Sequence, residues 1–465
     1  MRAVGPAGPA ADLTERRREQ RRWYFYDWAN SAYVTTIATV LFAPYVTSVA
    51  ETAACGYAGT TERSCDVNLT ILGVGVSPGS LVFYVATFAT ILSARVLPVV
   101  GAIADRSARK KDLMAGFAWL GSLAAACMFL VTGGNWQLGA VLLLVANICL
   151  GSSLVVYDAI LCEISTPEER DRVSSRGWGL GYLGGGLLLA ANLAVVTFNE
   201  ALGLSTAMAV RLCMLSAALW WAGFTIIPWL GIRNRPAVGV QREAGGLVRQ
   251  SFGQLATTLR DLRKYPMTML FLLAYLFYND GIQTVIASAS IYGERELGFE
   301  TSVLIATILL VQFVAFGGAL LFGQIAERVG SRATIMAGLG IWMLVVSVGY
   351  FLPEKQIVPF LCLAVGIGLV LGGTQALSRS LFSRLVPTGR EAEYFSLYQA
   401  CERGTSWLGT LVFGLVHQLS GSYRPAILAL MVFFVLGLAL LSRLDVRRGI
   451  EDAGRAPTTS VGHAT

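Results

Sequence analysis

Residues 113–157 contain no Asp, Glu, Lys or Arg. A helix of a soluble protein keeps one polar face toward water, so an uncharged run of this length fits no ordinary soluble fold. At ~1.5 Å per residue, ~20 apolar residues cross the hydrocarbon core of a bilayer, and this run suffices for two crossings. Thr132-Gly133-Gly134-Asn135 divides it between them. The rest of the 465-residue chain follows suit, being 55% hydrophobic and 14% charged, against about 25% charge in soluble domains. Disorder, a coiled coil and a disulfide scaffold are excluded as the main architecture. The spans must be helices, because each backbone amide in hydrocarbon has to be paired within its own segment.

Twelve helical spans are expected, near 24–49, 79–104, 112–132, 137–162, 174–198, 207–230, 267–290, 301–326, 333–352, 357–382, 394–416 and 425–443. The first follows a basic arm, and Ser48-Val49-Ala50 resembles a cleavage site. Its apolar run exceeds the roughly 7–15 residues of a signal peptide, so it is read as a retained membrane helix. With both termini on one side, 28 of the 36 Lys and Arg residues fall on that side and four on the other. Basic loops stay in the cytoplasm, which predicts cytoplasmic termini in a multi-pass plasma-membrane protein. The net charge of +7 is therefore a matter of topology, and no nucleic-acid partner is expected. Cys55 and Cys65 then share one outer loop, where disulfides persist; a bridge between them is expected, two unrelated thiols being the alternative.

The longest basic loop splits the spans into six and six. The expected organisation is an arm over 1–22, a bundle over 23–230, a linker over 231–265, a bundle over 266–444 and a tail over 445–465. Within the linker, 246–264 places apolar residues near helical spacing among basic ones, which predicts a helix lying on the inner leaflet; a solvated linker is the alternative. Arm and tail read as mobile.

The two halves repeat a motif. Gly101-Ala-Ile-Ala-Asp105-Arg106-Ser-Ala-Arg109-Lys110 follows the second span, and Gly323-Gln-Ile-Ala-Glu327-Arg328-Val-Gly-Ser-Arg332 follows the eighth. The glycine permits close helix approach, and the acid can cap the next helix or pair with a cation. These residues resemble the signature loop of the major facilitator superfamily, with Ala108 where glycine is usual. That resemblance covers nearly the whole chain. It implies an all-α membrane protein of two pseudo-symmetric six-helix bundles around a central cavity, working by alternating access. A narrower resemblance begins at Tyr26-Asp27-Trp28-Ala29-Asn30-Ser31-Ala32-Tyr33. It continues at Thr166-Pro167-Glu168-Glu169-Arg170-Asp171-Arg172-Val173-Ser174 with Gly177-Trp178, at Tyr278-Asn279-Asp280-Gly281 and at Gln375-Ala376-Leu377-Ser378-Arg379-Ser380. These stretches are similar to bacterial transporters related to the fungal vacuolar amino-acid effluxer of autophagy. That branch implies export of neutral amino acids in its fungal members.

Ionisable residues inside spans are costly and mark pathways. Asp27, Asn30 and Ser31 share a helix face, and Asp280, Gln283 and Thr284 repeat the spacing. Asp280, near mid-membrane, is the stronger candidate for a cavity or proton site. Asp27 has the alternative of a helix cap or a partner for Arg21 or Arg22. Aligning Gly151 with Gly372 sets Asp158 opposite Arg379 and Glu163 opposite Arg384, which predicts a cytoplasmic gate of ion pairs; charges satisfied within each half are the alternative. Glu402 is a candidate for proton coupling, and as its helix neighbour Arg403 points elsewhere, the two are expected to serve different partners. Tyr33, Trp178, Gln312, Gln375 and Trp407 are candidate cavity liners.

Gly179-Leu-Gly181-Tyr-Leu-Gly184 matches a dinucleotide fingerprint but lies in a span, not after a strand. There is no phosphate-binding loop, no metal-ligand spacing and no nucleophile elbow, so no cofactor is expected. The expected function is secondary active transport of a small polar solute, a neutral amino acid by the resemblance, by a monomer that is facilitative or proton-coupled. An intramembrane enzyme and a non-transporting receptor or scaffold remain the alternatives.

Overall fold

The computed structural model describes residues 9–57, 65, 67–71, 73–236, 261–404 and 406–454. Among them, eleven helices are long and apolar enough to cross a bilayer. The first runs unbroken over Leu13–Cys55, as α1 (Pro9–Ala32), a π-helical stretch (Tyr33–Leu41) and α2 (Phe42–Cys55). That stretch, YVTTIATVL, is rich in β-branched residues, which crowd the preceding helical turn. A wider turn relieves the crowding, and such turns gather at functional sites.

The first half continues with α3 (Leu81–Arg106), α4 (Lys110–Cys127), α5 (Trp136–Ile164), α6 (Arg170–Thr197) and α7 (Thr206–Gly231). The second half comprises α8 (Pro266–Arg295), α9 (Thr301–Val329), α10 (Ser331–Tyr350), α11 (Ile357–Leu385), α12 (Glu391–Gly404), α13 (Ser406–Ser420), α14 (Tyr423–Ala429) and α15 (Met431–Leu441). The expected span over 394–416 is covered by α12 and α13, with residue 405 between them outside the described residues. The Asp280 carboxylate accepts the Gly409 N–H at 2.8 Å near the start of α13. The last span, Tyr423–Leu441, joins α14 to α15.

Helices of one half cross helices of the other in two equivalent places, α3 against α12 and α6 against α9. Both crossings need glycine. A Cβ on Gly101 would lie 2.5 Å from the Ala392 carbonyl oxygen, and one on Gly323 would lie 2.6 Å from Ser175 Oγ. Both glycines lie toward the end of the molecule that carries the Arg- and Lys-rich loops, here termed the basic end.

At the other end Cys55 and Cys65 form a disulfide. A small antiparallel hairpin follows, β1 (Leu69–Ile71) and β2 (Val74–Val76), turning at Gly73, whose φ is +84°. The wholly helical expectation missed it, although short runs rich in β-branched residues around a glycine are a hairpin signal. Replacing both cysteines with Ser is expected to cost about 2–3 kcal/mol, the loop-closure value for so short a loop, read as a lower thermal midpoint in detergent. An unchanged midpoint would show the loop to be held by its other contacts.

Arm and tail differ from their sequence reading. The arm is helical from Pro9 and docked: Glu15 pairs with Arg233 at 2.8 Å, Glu19 pairs with Arg235, and Gln20 donates to the Ile164 carbonyl. Acid on the arm meets base just past α7. The tail forms α16 (Val446–Asp452), capped by the Asp445 carboxylate and buried through Gly449 and Ile450. The interfacial helix expected over 246–264 falls mostly outside the described residues; its end is a 3-10 turn, Leu262–Lys264.

Candidate functional site

On α11 the run Leu371–Ser383 is buried on every side, although it holds Thr374, Gln375, Ser378, Arg379, Ser380 and Ser383. Polar groups so placed need partners, and they find them on the opposite half. Arg379 is 1% exposed. Its Nη2 lies 2.9 Å from Asp27 Oδ2 on α1, and its Nη1 lies 3.3 Å from Asp158 Oδ1 on α5. Its Nε donates to Ser174 Oγ at 3.0 Å on α6. Trp23, Tyr157 and Trp178 surround the guanidinium at 4.9–5.4 Å from their ring centres, as cation–π contacts. One cation thus joins three helices of the other half, about 9 Å in from the basic end of α11 at ~1.5 Å per residue.

The network extends both ways. Tyr157 donates its hydroxyl to Asp27 at 2.8 Å, and Gln399 on α12 donates to Asp158 at 2.9 Å and to Glu402 at 3.2 Å. Toward the basic end, Asp171 on α6 accepts from Arg384, Ser380 and Ser331. Arg170 donates to the Ser383 carbonyl at 2.7 Å. At the α3–α12 crossing the Asp105 carboxylate accepts the N–H groups of Ala392 and Glu393, both at 2.8 Å. It caps the first turn of α12, where a carboxylate meets both free donors and the positive helix end.

Several sequence-derived pairings change. Arg379 and Asp158 are brought together, but Asp27 joins them instead of pairing with Arg21 or Arg22. Arg384 binds Asp171, not Glu163. Glu163 instead holds Lys110 at 2.7 Å and stays within its own half. An alignment of helices fixes level along the axis, whereas the facing of each charge depends on helix rotation. Glu402 and Arg403 share one partner, Gln399, whose amide donates to the Glu402 carboxylate at 3.2 Å and accepts from Arg403 at 3.3 Å. Asp105 caps α12 of the other half instead of the next helix, and it pairs with the cation Lys110 at 3.7 Å. Its counterpart Glu327 is exposed, as is Arg328, while Asp171 supplies the carboxylate at the second crossing. Arg106 is partly buried, Arg109 pairs with Asp112 on the surface at 2.8 Å, and Arg332 donates to the Leu441 carbonyl at 3.0 Å.

Asp280 is fully buried but lies away from Arg379, against α13. Its Oδ1 and the Thr284 hydroxyl have no hydrogen-bond partner among the described residues. Its neighbour Asn279 instead ties helices of its own half together, accepting from Gln375 at 2.9 Å and from Gln283 at 3.5 Å, and donating to the Glu402 carbonyl at 3.2 Å. Asn30 spends its amide on the Tyr26 carbonyl. Tyr33 reaches Asn147, and Gln312 meets Thr35 of the other half at 3.3 Å. The Trp407 side chain lies outside the described residues. Sequence reasoning missed Asn279, Tyr157, Asp171 and Gln399. For Asn279 the signal was present, since 279 and 283 share a helix face as well as 280 and 284 do.

The comparisons agree with this architecture. The family "Vacuole effluxer Atg22 like" matches residues 15–454. The "Uncharacterized MFS-type transporter YxiO" of Bacillus subtilis (strain 168) is 31% identical over 428 residues, covering 91% of this chain and 94% of that protein. "Autophagy-related protein 22-1" of Aspergillus niger is 25% identical, covering 84% and 77%. Among solved structures, the proton:xylose symporter XylE of the major facilitator superfamily superimposes with a TM-score of 0.70 at 12% identity, over 95% of this chain and 99% of that one. A bacterial homologue of the iron transporter ferroportin, outward-facing, gives 0.64 at 13% identity, over 92% and 99%. With a family match over almost its whole length and two halves of membrane-spanning helices meeting in paired crossings, the chain belongs to the Atg22-like family and has the major facilitator fold.

Proposed function

We infer that this chain is a secondary transporter that moves a small polar solute across the cytoplasmic membrane by alternating access, with both termini in the cytoplasm. Family membership supports transport, and the placement of Lys and Arg supports the orientation. The observation that carries the mechanism is Arg379, buried between the halves and bound to Asp27 and Asp158. Around it, Asp171 with Arg384 and Asp105 with α12 bind the halves together on the basic side. Such bonds hold the cytoplasmic end shut, so this arrangement opens away from it. Breaking them together, and forming others at the disulfide end, turns the cavity around.

Neutral amino acids, the solute class that the sequence resemblance implies, are the first to test. Proton coupling fits the charge balance of the cluster, in which one guanidinium faces Asp27 and Asp158, with Glu402 one amide away. In this reading Glu402 accepts the coupling proton when Arg379 leaves, and Gln399 carries the change to Asp158. In sealed proteoliposomes the purified protein is expected to catalyse counterflow of a labelled neutral amino acid and to accumulate it under an imposed pH gradient. Glu402→Gln is expected to keep counterflow and lose the response to the gradient. Binding without flux across an amino-acid panel would favour a receptor. Gradient-driven uptake that survives Glu402→Gln would move the coupling proton elsewhere.

A further inference from the structure

We propose that the corner where α10 begins and α15 ends, at the basic end of the second half, binds the headgroup of an anionic glycerophospholipid. Arg332, at the start of α10, donates to the Leu441 and Ser442 carbonyls that close α15. Two carbonyls at one helix end therefore hold its guanidinium in place. Arg443 and Arg447 flank the same recess, a space of about 470 Å³. Arg448 is exposed beside it. The Asp445 carboxylate is already engaged, capping α16 through the Arg447 and Arg448 N–H groups at 3.0 and 3.1 Å. Among the described residues, none of the four arginines forms an ion pair with an acid.

The equivalent corner of the first half shows what is missing. There Asp112 on α4 accepts from Trp229 at 2.9 Å and Asn234 at 3.0 Å at the end of α7, and from Arg109. Arg233 and Arg235, just past α7, are met by Glu15 and Glu19 of the docked arm. The chain supplies its own anions at that corner. The second corner has the same helix crossing and a similar cluster of arginines, but among the described residues no acidic arm reaches it.

The occupant must bring negative charge and sit at the membrane boundary. Guanidinium forks match phosphate oxygens in pairs, and basic recesses between spans on the cytoplasmic side suit anionic headgroups. The outward face of α15 leads to the recess through Val432, 57% exposed, and Leu436, 41% exposed. That apolar track fits an acyl chain and has no use for a free phosphate ion.

Native mass spectrometry of the detergent-purified full chain, offered phosphatidylglycerol and phosphatidylcholine in equal amounts, tests this without knowledge of the solute. One phosphatidylglycerol is expected to stay bound in preference. The double variant Arg443→Gln, Arg447→Gln is expected to lose about 30-fold in its retention, from the worth of two arginines at an anionic surface. Arg233→Gln, altering an arginine already paired within the chain, should leave retention unchanged. Equal retention of both lipids, or undiminished retention in the double variant, would overturn the proposal. Displacement of the lipid by millimolar inorganic phosphate would reassign the site to a free anion and overturn it equally.

Discussion

Arg379→Gln is expected to part the two halves at the basic end. The substitution leaves the Asp27 and Asp158 carboxylates buried without their cation, and removing one member of a buried ion pair costs about 3–5 kcal/mol. Tyr157 and Gln399 still donate to them, but neutral donors do not replace a charge. The contacts of Trp23, Tyr157 and Trp178 with the guanidinium are lost as well. The chain carries its own reporter: Cys162, partly buried on α5, contacts the Ser383 carbonyl across the interface at 3.8 Å. Alkylation of Cys162, read by peptide mass spectrometry, should rise severalfold in Arg379→Gln, with a lower thermal midpoint. Arg379→Lys should fall between, since the charge remains while the fork that reaches both acids is gone. Exchanging the charges, Asp158→Arg with Arg379→Asp, should rescue poorly, because the new carboxylate would face Asp27. Cys162 labelling that matches wild type in Arg379→Gln would mean that the interface is held elsewhere.

Gly101→Val is expected to open the same end by a steric route. The obstacle is backbone: Ala392 O would stand 2.5 Å from the new Cβ, and the Glu393 Cα 2.9 Å away. Neither can rotate aside, so α12 must withdraw, and Asp105 then loses both N–H groups that it caps. Overpacking costs about 1–3 kcal/mol and a lost helix cap about 1 kcal/mol. Because the contact lies between halves and not within one, the penalty falls on the closed arrangement and spares the fold of each bundle. Cys162 labelling should therefore rise more than thermal stability falls. Gly323→Ala should strain the α6–α9 crossing as well, since its Cβ would meet the Ser175 hydroxyl at 2.6 Å, which can turn, and the Ser175 Cβ at 2.7 Å, which cannot. A Gly101→Val protein that labels like wild type would show that α3 and α12 do not need this contact to close.

The fold was legible because a bilayer leaves few choices. Uncharged runs of fixed length, a basic loop after every second span and a motif repeated near Gly101 and Gly323 lead directly to two bundles of six. Long-range fastenings were harder to see. The Asp280 carboxylate, far away in sequence, holds the Gly409 N–H near the start of α13. The arm was read as a tail from its charge, yet Glu15 and Glu19 find Arg233 and Arg235, a long-range match that local composition does not reveal. The site was legible in part. Buried ionisable residues are rare enough in spans that Asp27, Asp158, Arg379 and Glu402 stood out. Their pairing was not, because sequence alignment gives depth without helix rotation. Hence Glu163 was assigned to Arg384, whereas Asp171, at the start of α6 and inconspicuous beside Arg170 and Arg172, is the acid that Arg384 reaches. Asp280 drew attention as a lone acid, while its uncharged neighbour Asn279 makes the hydrogen bonds to Gln375 and to the Glu402 carbonyl within its own half.

The claim that the rest depends on is that the Arg379 cluster keeps one end shut while the other stands open. Pulsed electron resonance distances between nitroxides at Glu168→Cys and Arg328→Cys, both exposed at the basic end, report one side. Labels at Leu202→Cys and Phe351→Cys, exposed at the disulfide end, report the other. The account predicts a short basic-end distance in the parent protein that lengthens when Arg379→Gln is added, while the disulfide-end distance shortens with it. A basic-end distance that stays fixed, or that lengthens with no change at the disulfide end, would contradict it.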